Sequence, residues 1–178
     1  MRCFIAFDVP DLVKDKLYNL QKELNDNNAK IKWVEKKNLH LTLKFIGNVD
    51  GNKIKETEDK LRKIKLKSFE VYLGGLGVFP NKDYMRVVFV ELDPVDKVIE
   101  LQKEIDSEMI SLFPKDERFH SHITLGRVKI IKNKNSFLKR MNRMKIEGNF
   151  KIKEFKLFKS TLSRNGPTYE VLKTYSLE

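Results

Sequence analysis

The chain has 178 residues, of which 40% are hydrophobic and 34% charged, and its formal net charge is +11. That length suits one domain, or two small lobes sharing a core, and the positive excess favours anionic partners such as nucleic acid, nucleotides or acidic membrane. Cys3 is the only cysteine, which excludes an intrachain disulfide or a cysteine-based metal knuckle, and no run approaches the roughly 18–20 apolar residues that span a bilayer.

Arg2 to Val9 is short, apolar and rich in β-formers, and reads as a strand. Asp8 and Pro10 break it too early for a signal peptide, so a soluble cytoplasmic protein is expected. Asp8 or Asp11 with Pro10 starts a helix, and Val13, Leu17, Leu20 and Leu24 recur at helical spacing until Asn25-Asp26-Asn27-Asn28. Ile31–Val34 and Leu39–Ile46 are strands, Gly47 to Gly51 is a turn, and Ile54, Leu61 and Ile64 mark a second helix. The apolar run Phe69–Phe79, broken by Gly74-Gly75, forms a hairpin with Met85–Leu92 across the turn at Pro80–Asp83.

Asp93-Pro94 reads as a cap with proline in the first turn of a long helix that ends near Pro114. His122–Ile131 is a strand and Asn135–Met144 a short helix. Phe150–Ile152, Phe155–Leu162 and Thr168–Leu177 are closing strands, with Gly166-Pro167 as a turn. Both halves run helix, strand, shorter helix, then two antiparallel strands. This order predicts a duplicated α+β unit: one bilobal domain over 1–178, with two antiparallel sheets and flanking helices around a central groove.

Two strands carry the same tetrapeptide pattern. His40-Leu41-Thr42-Leu43 and His122-Ile123-Thr124-Leu125 both read His, apolar, Thr, apolar, in a chain with three histidines. Side chains alternate along a strand, so His and Thr share one face while the apolar pair packs on the core. One such strand in each lobe would bring two imidazoles to opposite walls of the groove. A neutral imidazole accepts a proton from a nucleophile and a protonated one donates to a leaving oxygen, the arrangement that in-line displacement at phosphorus needs. Thr42 and Thr124 add hydroxyl donors for growing negative charge.

Strict alternation would turn Arg127 to the far face, as a surface arginine. A bulge beside Gly126 would instead aim its guanidinium at a phosphate. Two other readings stand beside the acid–base pair. His120 and His122 could join His40 as metal ligands, although no fourth ligand stands at motif spacing. The groove could also be a non-catalytic RNA-binding module, held by charge alone.

The chain resembles the RNA 2′,3′-cyclic phosphodiesterases, also called 2′-5′ RNA ligases, of the two-histidine phosphoesterases. The likeness runs from Arg2-Cys3-Phe4-Ile5-Ala6 through Asn38 to Gly47, Gly77 to Pro80, Arg86 to Val88, and Phe119. It continues with His122 to Arg127, Ser160 to Leu162, and Gly166 to Tyr169. Ser121 stands where many relatives carry proline. The resemblance implies hydrolysis of RNA 2′,3′-cyclic phosphate ends to 2′-phosphates with no metal and no cofactor. His40 would be the proton donor and His122 the proton acceptor, a division the sequence alone does not fix, with Thr42, Thr124 and Arg127 holding the phosphate. The implied partners are RNA with a cyclic phosphate end and, for a reverse reaction giving a 2′-5′ linkage, a 5′-hydroxyl RNA. A monomer is expected. Phe45, Phe79, Tyr84 and Trp33 are candidates to stack on a base.

Overall fold

The computed structural model describes residues 1–164 and 166–178. The elements run β1 (Arg2–Asp8), α1 (Asp11–Leu24), β2 (Ala29–Trp33), a single 3-10 turn (Lys36–Asn38), β3 (His40–Asn48) and α2 (Gly51–Leu61). Then come β4 (Phe69–Pro80), β5 (Met85–Asp93), α3 (Val95–Met109), β6 (His122–Ile131), α4 (Lys134–Arg143), β7 (Asn149–Ile152), β8 (Glu154–Ser163) and β9 (Gly166–Ser176).

The helix starts have local causes. The Asp50 carboxylate accepts from the Lys53 amide at 2.9 Å and opens α2, and the Asn133 side chain does the same for Ser136 at 3.0 Å in α4. Pro10 caps α1 through its carbonyl, which accepts from Val13 and Lys14 at 2.9 Å each. No side chain caps α1 or α3, so Asp93 does not play the capping role read from the sequence. Two further expectations shift. Gly74-Gly75 does not break the strand but sits at a register shift inside a continuous β4. Gly166-Pro167 is not the turn itself, because both residues open β9.

The strands form two antiparallel sheets, in the orders β3-β1-β8-β9 and β2-β6-β5-β4-β7. The halves of the chain are therefore interleaved. The hairpin β4–β5, which follows the first H-x-T-x strand, joins the sheet of β6. The closing hairpin β8–β9, which follows the second, returns to pair with β1. One buried apolar cluster runs through both sheets and takes in Leu41 and Leu43 from β3 and Ile123 and Leu125 from β6. Each of these four is at most 1% exposed. Burying a side chain of that size stabilises by about 1.5–3 kcal/mol, so the apolar half of each tetrapeptide fixes its polar half in place.

Candidate active site

β3 and β6 pack against each other where the two sheets meet. Their first six residues have the same burial sequence: half-buried, buried, half-buried, buried, buried, exposed. His40, Thr42, His122 and Thr124 are the half-buried positions, and all four line one groove of about 1140 Å³.

The sixth position depends on a bulge in each strand. On β3, Thr42 faces Ala6 and Lys44 faces Ile5, so Leu43 is one residue too many. On β6, Thr124 faces Phe89 and Gly126 faces Val88, so Leu125 is the extra residue. An extra residue reverses the alternation beyond it. Lys44 and Gly126 turn inward, and Phe45 and Arg127 turn to the groove. Of the two sequence readings for Arg127, the groove reading is the one the register supports.

Gly126 is required by packing. A Cβ there would stand 2.5 Å from Ile31 Cγ2 and 2.8 Å from Trp33 Cε3. Gly126→Ala is expected to destabilise the fold by about 1–3 kcal/mol, read as a lower denaturation midpoint.

Each imidazole is oriented by a backbone carbonyl just before it. His40 Nδ1 lies 2.6 Å from Asn38 O, and His122 Nδ1 lies 2.7 Å from His120 O. A carbonyl only accepts, so Nδ1 carries the proton in both rings and Nε2 is the nitrogen left for chemistry. His40 Nε2 is 3.0 Å from Thr42 Oγ1, whose hydroxyl donates to it when the ring is neutral. Aromatic edges hold the rings sideways: Tyr169 stands T-shaped to His40 at 5.2 Å between centroids, and Phe79 to His122 at 5.0 Å.

Burial pushes both imidazoles below their ordinary pKa. For His40 the Asn38 carbonyl and the Asp8 carboxylate oppose that shift, while Lys14 and His122 reinforce it. For His122 the His120 carbonyl opposes it, and the His120 ring and the Arg127 guanidinium reinforce it. His40 thus has Lys14 and the His122 ring beside it as well as Asp8, and His122, with the His120 ring and Arg127 beside it, also faces Glu91 across β5–β6. Asp8 faces His40 across β1–β3. Nothing in the sequence marked it before that register was known.

The groove wall beside β6 is basic. Lys32 pairs directly with Arg127 across β2–β6, and Lys129 lines the groove beside them. Like charges on opposed strand positions repel, so this edge favours an anion between them. Among the described residues, Arg127 makes no ion pair or side-chain hydrogen bond. Of the stacking candidates, Phe45 is 71% exposed and lines the groove together with Phe79 and Trp33. Phe79 is already stacked on Phe89 at 4.1 Å. Tyr84 does not line the groove; it lies under the Arg86 guanidinium, 4.5 Å from the ring centroid. His120, weighed from the sequence as a metal ligand, does line it. Among the described residues, no three His, Cys, Asp or Glu side chains are grouped as metal ligands.

A model of the LigT-like phosphoesterase family matches the chain twice, over residues 7–89 and 90–169, so each match carries one H-x-T-x strand. The chain belongs to this family. Among its LigT-like relatives, the RNA 2′,3′-cyclic phosphodiesterase of Methanocaldococcus jannaschii is 38% identical over 178 residues, covering 98% of this chain and 100% of that one. The protein of the same name from Methanothermobacter thermautotrophicus is 32% identical over 182 residues, covering 99% of each. The crystal structure of E. coli LigT complexed with 3′-AMP is similar with a TM-score of 0.79 at 25% identity, covering 99% of this chain and 97% of that one. The double match agrees with the equivalent bulges in β3 and β6: this LigT-like fold is a duplicated unit whose closing hairpins are exchanged between sheets. Among the described residues, no helix is long and apolar enough to cross a membrane.

Proposed function

We propose that residues 1–178 act as one bilobal domain that hydrolyses RNA 2′,3′-cyclic phosphate ends to 2′-phosphates, without a metal, through His40 and His122. The observation that supports this reading is that both imidazoles line the same groove, each with Nδ1 engaged by a backbone carbonyl, which leaves Nε2 for proton transfer. His122 Nε2 takes a proton from water as the water oxygen bonds to phosphorus. The P–O3′ bond breaks, and His40 Nε2–H gives its proton to the departing 3′-oxygen. The products are a 2′-phosphate and a 3′-hydroxyl. Thr42, Thr124 and Arg127 hold the non-bridging oxygens as charge grows on them.

The division of roles is the one the family resemblance implies: His40 as donor, where Asp8 partly offsets the burial that favours the neutral ring, and His122 as acceptor, where burial and Arg127 both favour the neutral ring. Phe45 offers an open face to a base. With the 5′-hydroxyl of a second RNA in place of water, the same displacement breaks P–O3′ and joins the ends through a 2′-5′ linkage. Both histidines come from one chain, so a monomer suffices.

The pH dependence follows from the same shifts. The donor must be protonated, so the rate falls as pH rises through the His40 pKa. The acceptor must be neutral, so the rate falls as pH drops through the His122 pKa. Burial lowers both. The bell in kcat/KM is therefore expected to centre below the ordinary imidazole value of about 6.5, as steady-state rates across pH would show.

The test of the function is incubation with an RNA ending in a 2′,3′-cyclic phosphate, in EDTA, with the phosphate position of the product determined. A 2′-phosphate is expected. A 3′-phosphate, or turnover only on addition of metal, would contradict the mechanism, and salt-sensitive binding with no turnover would leave the groove an RNA-binding module alone.

A further inference from the structure

The bulge that aims Arg127 is held from behind by a buried amide, and the residue that the other bulge turns inward is held by a buried carboxylate, each on the helix of the other half. On α1, Gln21 is 2% exposed, and its Nε2 donates to Leu125 O at 2.8 Å and to Val34 O at 2.9 Å. Leu125 is the extra residue of the β6 bulge. Its carbonyl also accepts from the Val34 amide at 2.9 Å. On α3, Gln102 Nε2 donates to Asp106 Oδ2 at 2.8 Å, and the other carboxylate oxygen of Asp106 accepts from Lys44 Nζ. Lys44 is the residue that the β3 bulge turns inward. Its ammonium also donates to Pro114 O at 2.8 Å, and Asp106 Oδ2 also accepts from the Asp116 amide at 3.0 Å.

The two braces are reciprocal. The helix of the first half holds the second motif strand, and the helix of the second half holds the first. Leu20, Gln21 and Leu24 on α1 recur in spacing as Leu101, Gln102 and Ile105 on α3, with all six buried.

We propose that Gln21 is a positioning residue for Arg127, and that the Gln102–Asp106–Lys44 chain positions Phe45 in the same way. Each holds a β-bulge that would otherwise relax to regular alternation. Without the extra residue in the ladder, Gly126 would face the groove and Arg127 the opposite side. A bulge takes the extra residue out of regular pairing, and a buried carbonyl needs donors. Gln21 supplies one where the bulge puts Leu125 O. Its own Oε1 is buried without a partner among the described residues. An apolar side chain of the same length would fill that space and leave no bare oxygen, but it could not bind Leu125.

The consequence for activity rests on Arg127 holding the phosphate, as proposed above, and the test separates the two claims. Gln21→Met keeps the length and removes the amide. The variant is expected to remain folded by circular dichroism and to lose roughly 10- to 100-fold in kcat/KM, the scale for a displaced positioning group. In an Arg127→Ala background, Gln21→Met is expected to cost nothing further, because both changes remove the same contact. Independent, multiplying losses would make Gln21 merely structural and overturn the proposal. A crystal structure of Gln21→Met reads the bulge directly, and an unchanged Leu125–Arg127 register would overturn it whatever the rates. An Arg127→Ala variant with full activity would sink the phosphate role instead, while the register still decides the brace. If Gln21→Met does not fold, Lys44→Met/Asp106→Leu combined with Phe45→Ala gives the same cycle on β3. There a shared loss supports the proposal and multiplying losses overturn it.

Discussion

His40→Ala and His122→Ala are each expected to lower kcat/KM on an RNA cyclic phosphate end by about 10²–10⁴-fold while leaving the fold intact. The fold should survive because the inner residues of each motif strand, Leu41 with Leu43 and Ile123 with Leu125, are held in the core independently of the imidazoles. Each substitution removes one Nδ1–carbonyl bond and some aromatic packing, to Phe4 and Tyr169 for His40 and to Phe79 and Phe89 for His122, and His40→Ala also removes the bond to Thr42. The chemistry has no replacement. Without His40 the 3′-oxygen departs unprotonated, and without His122 the attacking water keeps its proton. Groups that act on one step are strongly non-additive, so the double variant should be little worse than the poorer single one. Initial rates beside circular dichroism check this, and full activity in either folded single variant would remove that histidine from the chemistry.

The second large effect is expected at the threonines. Thr42→Val and Thr124→Val keep the branched shape on the strand and remove only the hydroxyl. Each should cost up to about 10²–10³-fold, by analogy with one lost oxyanion donor. The loss should fall mainly on kcat, because negative charge on the non-bridging oxygens grows toward the transition state. The two need not be equal. Thr42 Oγ1 is already engaged with His40 Nε2 at 3.0 Å, so its loss also frees that ring. Thr124 has no corresponding bond to His122 among the described residues and is open to the phosphate. Separate kcat and KM values for both variants decide the matter, and unchanged rates in both would place the hydroxyls outside the site.

The histidines and threonines were legible in the sequence because period-two alternation is a local rule, and two copies of one pattern point to one site. Arg127 was legible only as a choice between two faces. The choice turns on a single extra residue in β6, and a bulge leaves no mark in composition. Gln21 and Lys44 carried a signal that was passed over: each is a polar residue at an inward position of an otherwise apolar pattern. The exchange of hairpins between sheets lay beyond reach for a different reason. Strand order depends on which long connection closes where, and the periodicity of β8 and β9 is the same in either sheet. Asp8 became visible beside His40 only through the β1–β3 register, which no local pattern encodes.

The acid–base division is tested most directly by the pH dependence of kcat/KM in the two histidine variants, measured against wild type on the same cyclic phosphate RNA. Removing the donor is expected to abolish the alkaline limb, so that His40→Ala no longer slows as pH rises. Removing the acceptor is expected to abolish the acid limb, so that His122→Ala no longer slows as pH falls. Both limbs persisting in both variants would show that neither imidazole carries the proton assigned to it.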